Sequence, residues 1–278
     1  MEEILKNIKI IHASDALISE GIIPERARDL STLIDYDGVQ SDPIVVAETG
    51  SKYIVLDGMH RVEALRVLGC RDILVYLVNY ADEHIILGSW DAIIKKKQGL
   101  KDLIENFSKS KGLEFRQHHG DVRELLYGRH CYFGFKSHEG RTTAVTRGKK
   151  QVLGLDEIIT TLEECEELFD EKGITLTYLA DTLSEATFRH AEDSLLMIRP
   201  RFTKEEVVSR TLSGKLFPRK TTRHIIPSRP LKVNVKISLL SENIDISIKN
   251  RLLQAELKRL NDHGRIRFYP DSIFLFNE

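Results

Sequence analysis

One segment constrains the fold more than any other. In Tyr53-Ile54-Val55-Leu56-Asp57-Gly58-Met59-His60-Arg61-Val62 an apolar, β-prone run stops at an Asp-Gly pair, and a helical pattern begins at once. Upstream, PIVVAE (43–48) is a second β-prone run, separated from YIVLDG (53–58) by Thr49-Gly50-Ser51-Lys52, so the two predict a hairpin. Downstream, Val62, Leu65 and Leu68 share one side of a helix over 59–68, and Gly69 stands where a left-handed cap is wanted. ILVYLV (73–78) then reads as a buried strand. Ahead of the hairpin, PERARDLSTLI (24–34) predicts a short helix with proline at its first position. Together these define a compact N-terminal lobe over residues 1–82.

At 278 residues the chain is long enough for a second lobe, expected over 83–278, with a functional site in a cleft between the two. The expected class is α/β of the α+β kind. The pattern predicts one or two helices over roughly 85–110, with Gly99 and the lysine run Lys95–Lys97 as the place of a break, strands at 130–135 and 142–147, and a helix over 155–171 with eight acidic and no basic residues. A strand at 174–178, an alternating strand at 232–240, an amphipathic helix ending at Gly264 and a closing strand RIRFYP (265–270) complete the expectation.

Charge narrows the function. With 41 Lys and Arg against 42 Asp and Glu, the chain has no global positive field to drive non-specific binding to nucleic acid or membrane. Locally the balance shifts, since Arg199 to Lys232 holds ten basic and two acidic residues. Three cysteines without a CxxC pair suit a reducing cytoplasm, and no apolar run approaches the ~18 residues of a membrane span.

Two motifs carry chemistry. At the Asp57–Arg61 junction a helix N-terminus offers unpaired backbone N–H groups and partial positive charge, so phosphate is its natural ligand. Gly58 permits close approach, Met59 opens the helix, His60 and Arg61 can donate to phosphate oxygens, and Asp57 can hold Mg²⁺. The second motif is Phe217-Pro218-Arg219-Lys220-Thr221-Thr222-Arg223-His224, where four basic or imidazole side chains crowd into six residues. Such a cluster calls for an anion, and the hydroxyls of Thr221 and Thr222 add neutral donors for phosphate or carboxylate.

The order PIVV…YIVLDGMHRVEALRVLGCRDILVYLV resembles the ParB/sulfiredoxin-like fold over about residues 8–80, with Gly58-x-x-Arg61-x-x-Ala64 similar to its nucleotide-phosphate box. Met59 stands where sulfiredoxins carry their catalytic cysteine, which removes sulfinic acid repair. With PRKTTRH in the C-terminal part, the whole resembles the free L-serine kinase family. That resemblance implies transfer of a phosphoryl group from ATP or ADP, with Mg²⁺, to L-serine. It implies Asp57 and His60 in catalysis, the Asp57–Arg61 turn with Thr221 and Thr222 on the nucleotide phosphates, and Lys220, Arg223 and His224 on the substrate. It also implies a catalytic glutamate within Leu17–Arg26, assigned to Glu20, on a connection made mobile by Gly21. Glu25 fits the helix dipole instead, and Trp90, the only tryptophan, can wall the pocket. The rival is a ParB-like, nucleotide-dependent DNA-binding regulator, against which the neutral charge and the want of a clear helix-turn-helix pattern both argue.

Overall fold

A computed structural model describes residues 2–95, 98–148, 151–191 and 193–268. The chain forms two compact units. Unit 1 holds residues 1–18, 22–80 and 228–278, and unit 2 holds 19–21 and 81–227.

Unit 1 begins with α1 (Glu2–Lys6), β1 (Ile8–His12), β2 (Ala16–Ile18), α2 (Pro24–Asp37) and β3 (Val39–Gln40). It continues through β4 (Ile44–Thr49), β5 (Lys52–Asp57), α3 (Met59–Val67) and β6 (Asp72–Val78). Its five-stranded sheet runs β1-β6-β4-β5-β2. The expected hairpin is the antiparallel β4–β5 pair, while β6 and β2 join it in parallel. Ile44, Val46, Ile54, Val55, Ile73, Leu74 and Val75 are fully buried in it, so these strands read as continuous apolar runs. Proline opens α2, and Gly38 closes it at φ 68° with its N–H on the carbonyls of Ile34 and Asp35.

Unit 2 contains β7 (Ile86–Gly88), β8 (Trp90–Lys95), α4 (Leu100–Ser110), β9 (Glu114–His118), α5 (Val122–Tyr127), β10 (Phe133–Ser137) and β11 (Thr142–Thr146). It goes on with α6 (Leu155–Glu171), β12 (Leu176–Ala180), α7 (Ser184–Phe188), β13 (Ser194–Ile198), α8 (Lys204–Leu212) and β14 (Arg223–Ile225). Six strands form an antiparallel sheet in the order β12-β8-β13-β10-β11-β9, and β14 pairs separately with β7. The helical reading of 85–110 is corrected here. Its first part is β7 and β8, and Gly99, at φ 80°, is a break directly before α4. Ala92, Ile93 and Ile94 are buried on both faces of an interior strand, so their apolar run carried no period by which to tell strand from helix.

The last segment, β15 (Val235–Lys236), α9 (Ile237–Ser241) and α10 (Ile246–Asp262), was expected in the second lobe but belongs to unit 1. Side chains tie it there. Asn250 reads the open edge of β1 as a strand would, accepting from the N–H of Ile10 and donating to its carbonyl, both at 2.8 Å. Lys249, fully buried, donates to Asp72 Oδ2 at 2.6 Å and to the carbonyls of Leu240 and Glu242. Removing either charge would strand the other, at a cost of about 3–5 kcal/mol. The strand expected at 232–240 shrinks to two residues because Lys232 and Asn234 adopt φ 54° and 59°, which breaks the alternation, and helix follows at Ile237. Of the closing strand, residues 265–268 are irregular and 269–270 lie outside the described residues. No helix among the described residues is long and apolar enough to cross a membrane.

Candidate active site

Unit 1 presents the Asp57–Arg61 turn. Gly58 takes φ 97° at the start of α3, a region costly for any side chain, and a Cβ there would stand 3.2 Å from Ile44 Cγ1 and 3.4 Å from the Arg61 guanidinium. The N-cap residue is a glycine with no side chain to cap the helix, which leaves room for a ligand at its first-turn N–H groups. Arg61 braces the turn, its Nη1 donating to the carbonyls of Asp42 at 2.9 Å and Pro43 at 2.8 Å, while Nη2 lies 3.6 Å from Asp57 Oδ2. Its expected role as a forked phosphate clamp is thereby narrowed to Nη2 and Nε. His60 Nε2 accepts the N–H of Ile23 at 3.0 Å, which fastens the start of α2 and leaves the ring proton of the neutral form on Nδ1. Sequence reasoning missed Arg229, whose Nη1 lies 3.0 Å from Asp57 Oδ2. It is 172 positions away and no local pattern announces it.

Unit 2 builds the second constellation around Glu20. The expectation of a mobile connection is corrected. Glu20 forms a bridge with Phe217, fixed by Gly21 N–H to the Phe217 carbonyl at 2.9 Å and Phe217 N–H to the Ser19 carbonyl at 2.8 Å. Its side chain is buried at 8% exposure, and the basic loop wraps it. Oε1 accepts from the N–H of Thr221 at 3.1 Å, from the N–H of Thr222, and from Thr222 Oγ1 at 2.6 Å, while Oε2 accepts from the N–H of Lys220 at 3.1 Å. Burial raises the carboxyl's pKa above its ordinary 4.5, opposed by the Thr222 hydrogen bonds, the positive charge of Arg199 and the Lys220 N–H. Lys220 holds φ 58°, a conformation rare for lysine, and this turns successive N–H groups onto one anion.

The structure brings Trp90, Lys220 and Arg223 together. The Trp90 indole N–H donates to the Thr222 carbonyl at 3.2 Å, and Lys220 Nζ and Arg223 Cζ lie 4.6 and 5.8 Å from the ring centroid. Arg223 Nη1 is buried without a hydrogen-bond partner among the described residues. Thr221, Thr222 and His224 are buried, and the Thr222 hydroxyl is engaged by Glu20. A second residue that sequence reasoning missed is Arg199, at 1% exposure directly behind the loop. Its only signal was a charged residue closing the apolar run Leu195-Leu196-Met197-Ile198.

The residues at the Asp57 turn fit a nucleotide and a hard divalent cation. An uncapped helix start faces outward beside two guanidinium groups, and the Asp57 side chain is 40% exposed. No group of three or more His, Cys, Asp or Glu among the described residues could cage a metal. A single part-exposed carboxylate beside a phosphate-sized turn is a donor set that fits Mg²⁺, which is commonly held by one or two carboxylates together with substrate phosphates.

No protein-family model matches the chain. Curated relatives do. The chain is 28% identical over 243 residues to the ATP-dependent L-serine kinase of Staphylothermus marinus, covering 83% of this chain and 90% of that protein. It is 26% identical to the ADP-dependent L-serine kinase SerK of Thermococcus kodakarensis, over 73% of this chain and 80% of that one. Among solved structures, a free serine kinase variant in complex with ADP superposes with a TM-score of 0.70 at 22% identity, covering 84% of this chain and 94% of the other. In sequence the chain is similar to curated L-serine kinases, and its fold is similar to that of a free serine kinase.

Proposed function

We propose that this protein is a nucleotide-dependent kinase of free L-serine that transfers a phosphoryl group from ATP or ADP to the serine hydroxyl, giving O-phospho-L-serine. The observation that carries the reading is the Glu20 carboxylate seated in the backbone of a basic, threonine-bearing loop. A group that takes a proton from an alcohol must be a base held in place, and burial makes Glu20 a stronger one than a carboxylate in water. Oε1 already accepts three donors and Oε2 one, so Oε2 keeps the lone-pair capacity to receive the serine proton. Relatives named as ATP-dependent and ADP-dependent L-serine kinases support the same substrate pair.

In unit 1, the first turn of α3 with Gly58, Met59 and His60 receives nucleotide phosphates, and Arg61 and Arg229 add positive charge. Asp57 is the carboxylate to hold Mg²⁺, which when bound offsets phosphate charge. In unit 2, Lys220 and Arg223 supply charge for the serine carboxylate and the transferred group, His224 offers a ring hydrogen-bonding group beside them, and Trp90 restricts the two cationic side chains through cation–π contacts. Thr221 and Thr222 contribute backbone and hydroxyl groups that fix the loop around the base. Phosphoryl transfer asks mainly for alignment and charge neutralisation, which such a set provides. The three cysteines are free and buried, in keeping with a cytoplasmic enzyme of free amino acids.

The test is to incubate the purified protein with L-serine, Mg²⁺ and either ATP or ADP and to identify products by mass, beside a filter-binding titration with duplex DNA. Phosphoserine with at least one donor is expected. Its absence with both, together with tight and salt-sensitive DNA binding, would overturn the reading in favour of a DNA-binding regulator.

A further inference from the structure

We infer that Arg199 is a positioning residue of the site, holding the Arg219–Thr222 loop from behind so that its N–H groups converge on Glu20. The guanidinium touches the loop at successive carbonyls. Nη1 donates to the carbonyl of Lys220 and lies 3.4 Å from that of Trp90, and Nη2 lies 3.3 Å from the carbonyl of Arg219 and 3.5 Å from Thr221 Oγ1. The N–H groups of Lys220, Thr221 and Thr222 run instead to Glu20. Peptide units of the loop are therefore drawn between a cation on their carbonyl side and an anion on their N–H side. Opposite charges aligned on the two ends of these dipoles stabilise one loop conformation, including the strained φ of 58° at Lys220.

Arg199 is itself held in place. Its Nη2 is 2.8 Å from Glu166 Oε1, and its guanidinium lies over the Tyr178 ring at 5.1 Å from the centroid. Glu166 comes from α6 and Tyr178 from β12, two rigid elements of unit 2. A lysine has one compact ammonium where arginine has a planar fork, so it cannot serve the loop carbonyls and Glu166 together. Arg199 touches no reacting atom in this scheme, and its effect on catalysis passes through the loop and Glu20.

The test has two arms, of which only the second rests on the serine-kinase reading. Trp90 is the sole tryptophan and donates to the Thr222 carbonyl, so its emission and its quenching by iodide report loop order directly. Arg199→Met and Arg199→Lys are compared with the parent and with Lys249→Met, which breaks a buried ion pair of unit 1. Circular dichroism selects a temperature at which each is folded. The expected result is a several-fold rise in Trp90 quenching in Arg199→Met, a smaller rise in Arg199→Lys, and none in Lys249→Met despite its lowered thermal midpoint. In the kinase assay, kcat of Arg199→Met falls about 10²-fold with nucleotide KM unchanged, and the acid limb of its pH profile moves upward as Glu20 loses a nearby positive charge. Folded Arg199 variants with parental Trp90 quenching would overturn the inference. Should Arg199→Met fail to fold, Arg199→Lys decides alone, by the same readouts. If the parent makes no phosphoserine the kinase reading fails, yet the quenching arm still decides whether Arg199 orders the loop.

Discussion

The Asp57–Arg61 turn and the Glu20 nest are built on opposite principles. In unit 1 the groups proposed to face a ligand, Arg229 apart, lie within five consecutive residues where β5 hands over to α3, and the key carboxylate is 40% exposed. In unit 2 the carboxylate is buried and its donors come from residues some 200 positions away. An exposed turn can exchange water for phosphate at little cost, which suits a nucleotide that must come and go. A buried carboxylate gripped by backbone N–H groups is costly to disturb, which suits a base that must not move. Substitutions in the turn should therefore alter binding and rate without altering stability, whereas substitutions in the nest should alter both.

The largest expected effect separates the two roles proposed for Glu20, proton acceptor and organiser of the loop. Glu20→Gln keeps an oxygen for the donors at Oε1 and disturbs only the contact with Lys220 N–H, but it cannot take a proton. Glu20→Ala removes every acceptor. Both variants should lose about 10³-fold in kcat, while Trp90 quenching stays near parental in Glu20→Gln and rises in Glu20→Ala. Single-turnover rates and iodide quenching check this, and equal quenching in the two variants would mean that the carboxylate does not organise the loop.

Asp57→Asn comes next, with a loss of roughly 10²-fold in kcat as charge stabilisation at the phosphates weakens. Its thermal midpoint should stay within about a degree of the parent, because Asp57 is a part-exposed group whose pair with Arg229 is worth little, about 0.2–1 kcal/mol at most. A thermal shift as large as that of Glu20→Ala would erase the contrast between turn and nest.

Legibility followed the same divide. The hairpin, α3 and the phosphate-facing turn could be read from the chain because their determinants are neighbours: a β-prone run, an Asp-Gly pair, apolar residues at helical spacing. The basic loop was legible as a charge cluster, but its conformation was not, since nothing near Lys220 signals a left-handed residue. Glu20 enters as the candidate base only through family resemblance, and the backbone seat that holds it has no local sequence signal. Arg199, Arg229 and Lys249 escaped for one reason, that each matters through a partner far along the chain. The failure over 85–110 is different in kind, because a strand buried on both faces loses the alternation by which strands are recognised.

The finest contrast lies within the nest, between two adjacent threonines. Thr222 Oγ1 donates to Glu20 at 2.6 Å, whereas Thr221 Oγ1 lies 3.5 Å from the Arg199 guanidinium. Thr222→Val keeps the volume and the backbone N–H but removes a donor that favours the ionised form, so burial is opposed less and the pKa of Glu20, already raised, rises further. The base must be ionised to act, and activity falls as pH drops through its pKa. The acid limb of kcat in Thr222→Val should therefore lie at higher pH than in the parent, with activity recovered well above it. Thr221→Val should leave the limb where it was. Stability runs the other way: a carboxyl with a raised folded pKa contributes fully below about 4.5 and loses that contribution as pH rises through the folded value. The thermal midpoint of Thr222→Val, compared with the parent from pH 4 to 8, should fall more over that range. A limb that moved in Thr221→Val and not in Thr222→Val would assign the pH dependence to another group and take the base away from Glu20.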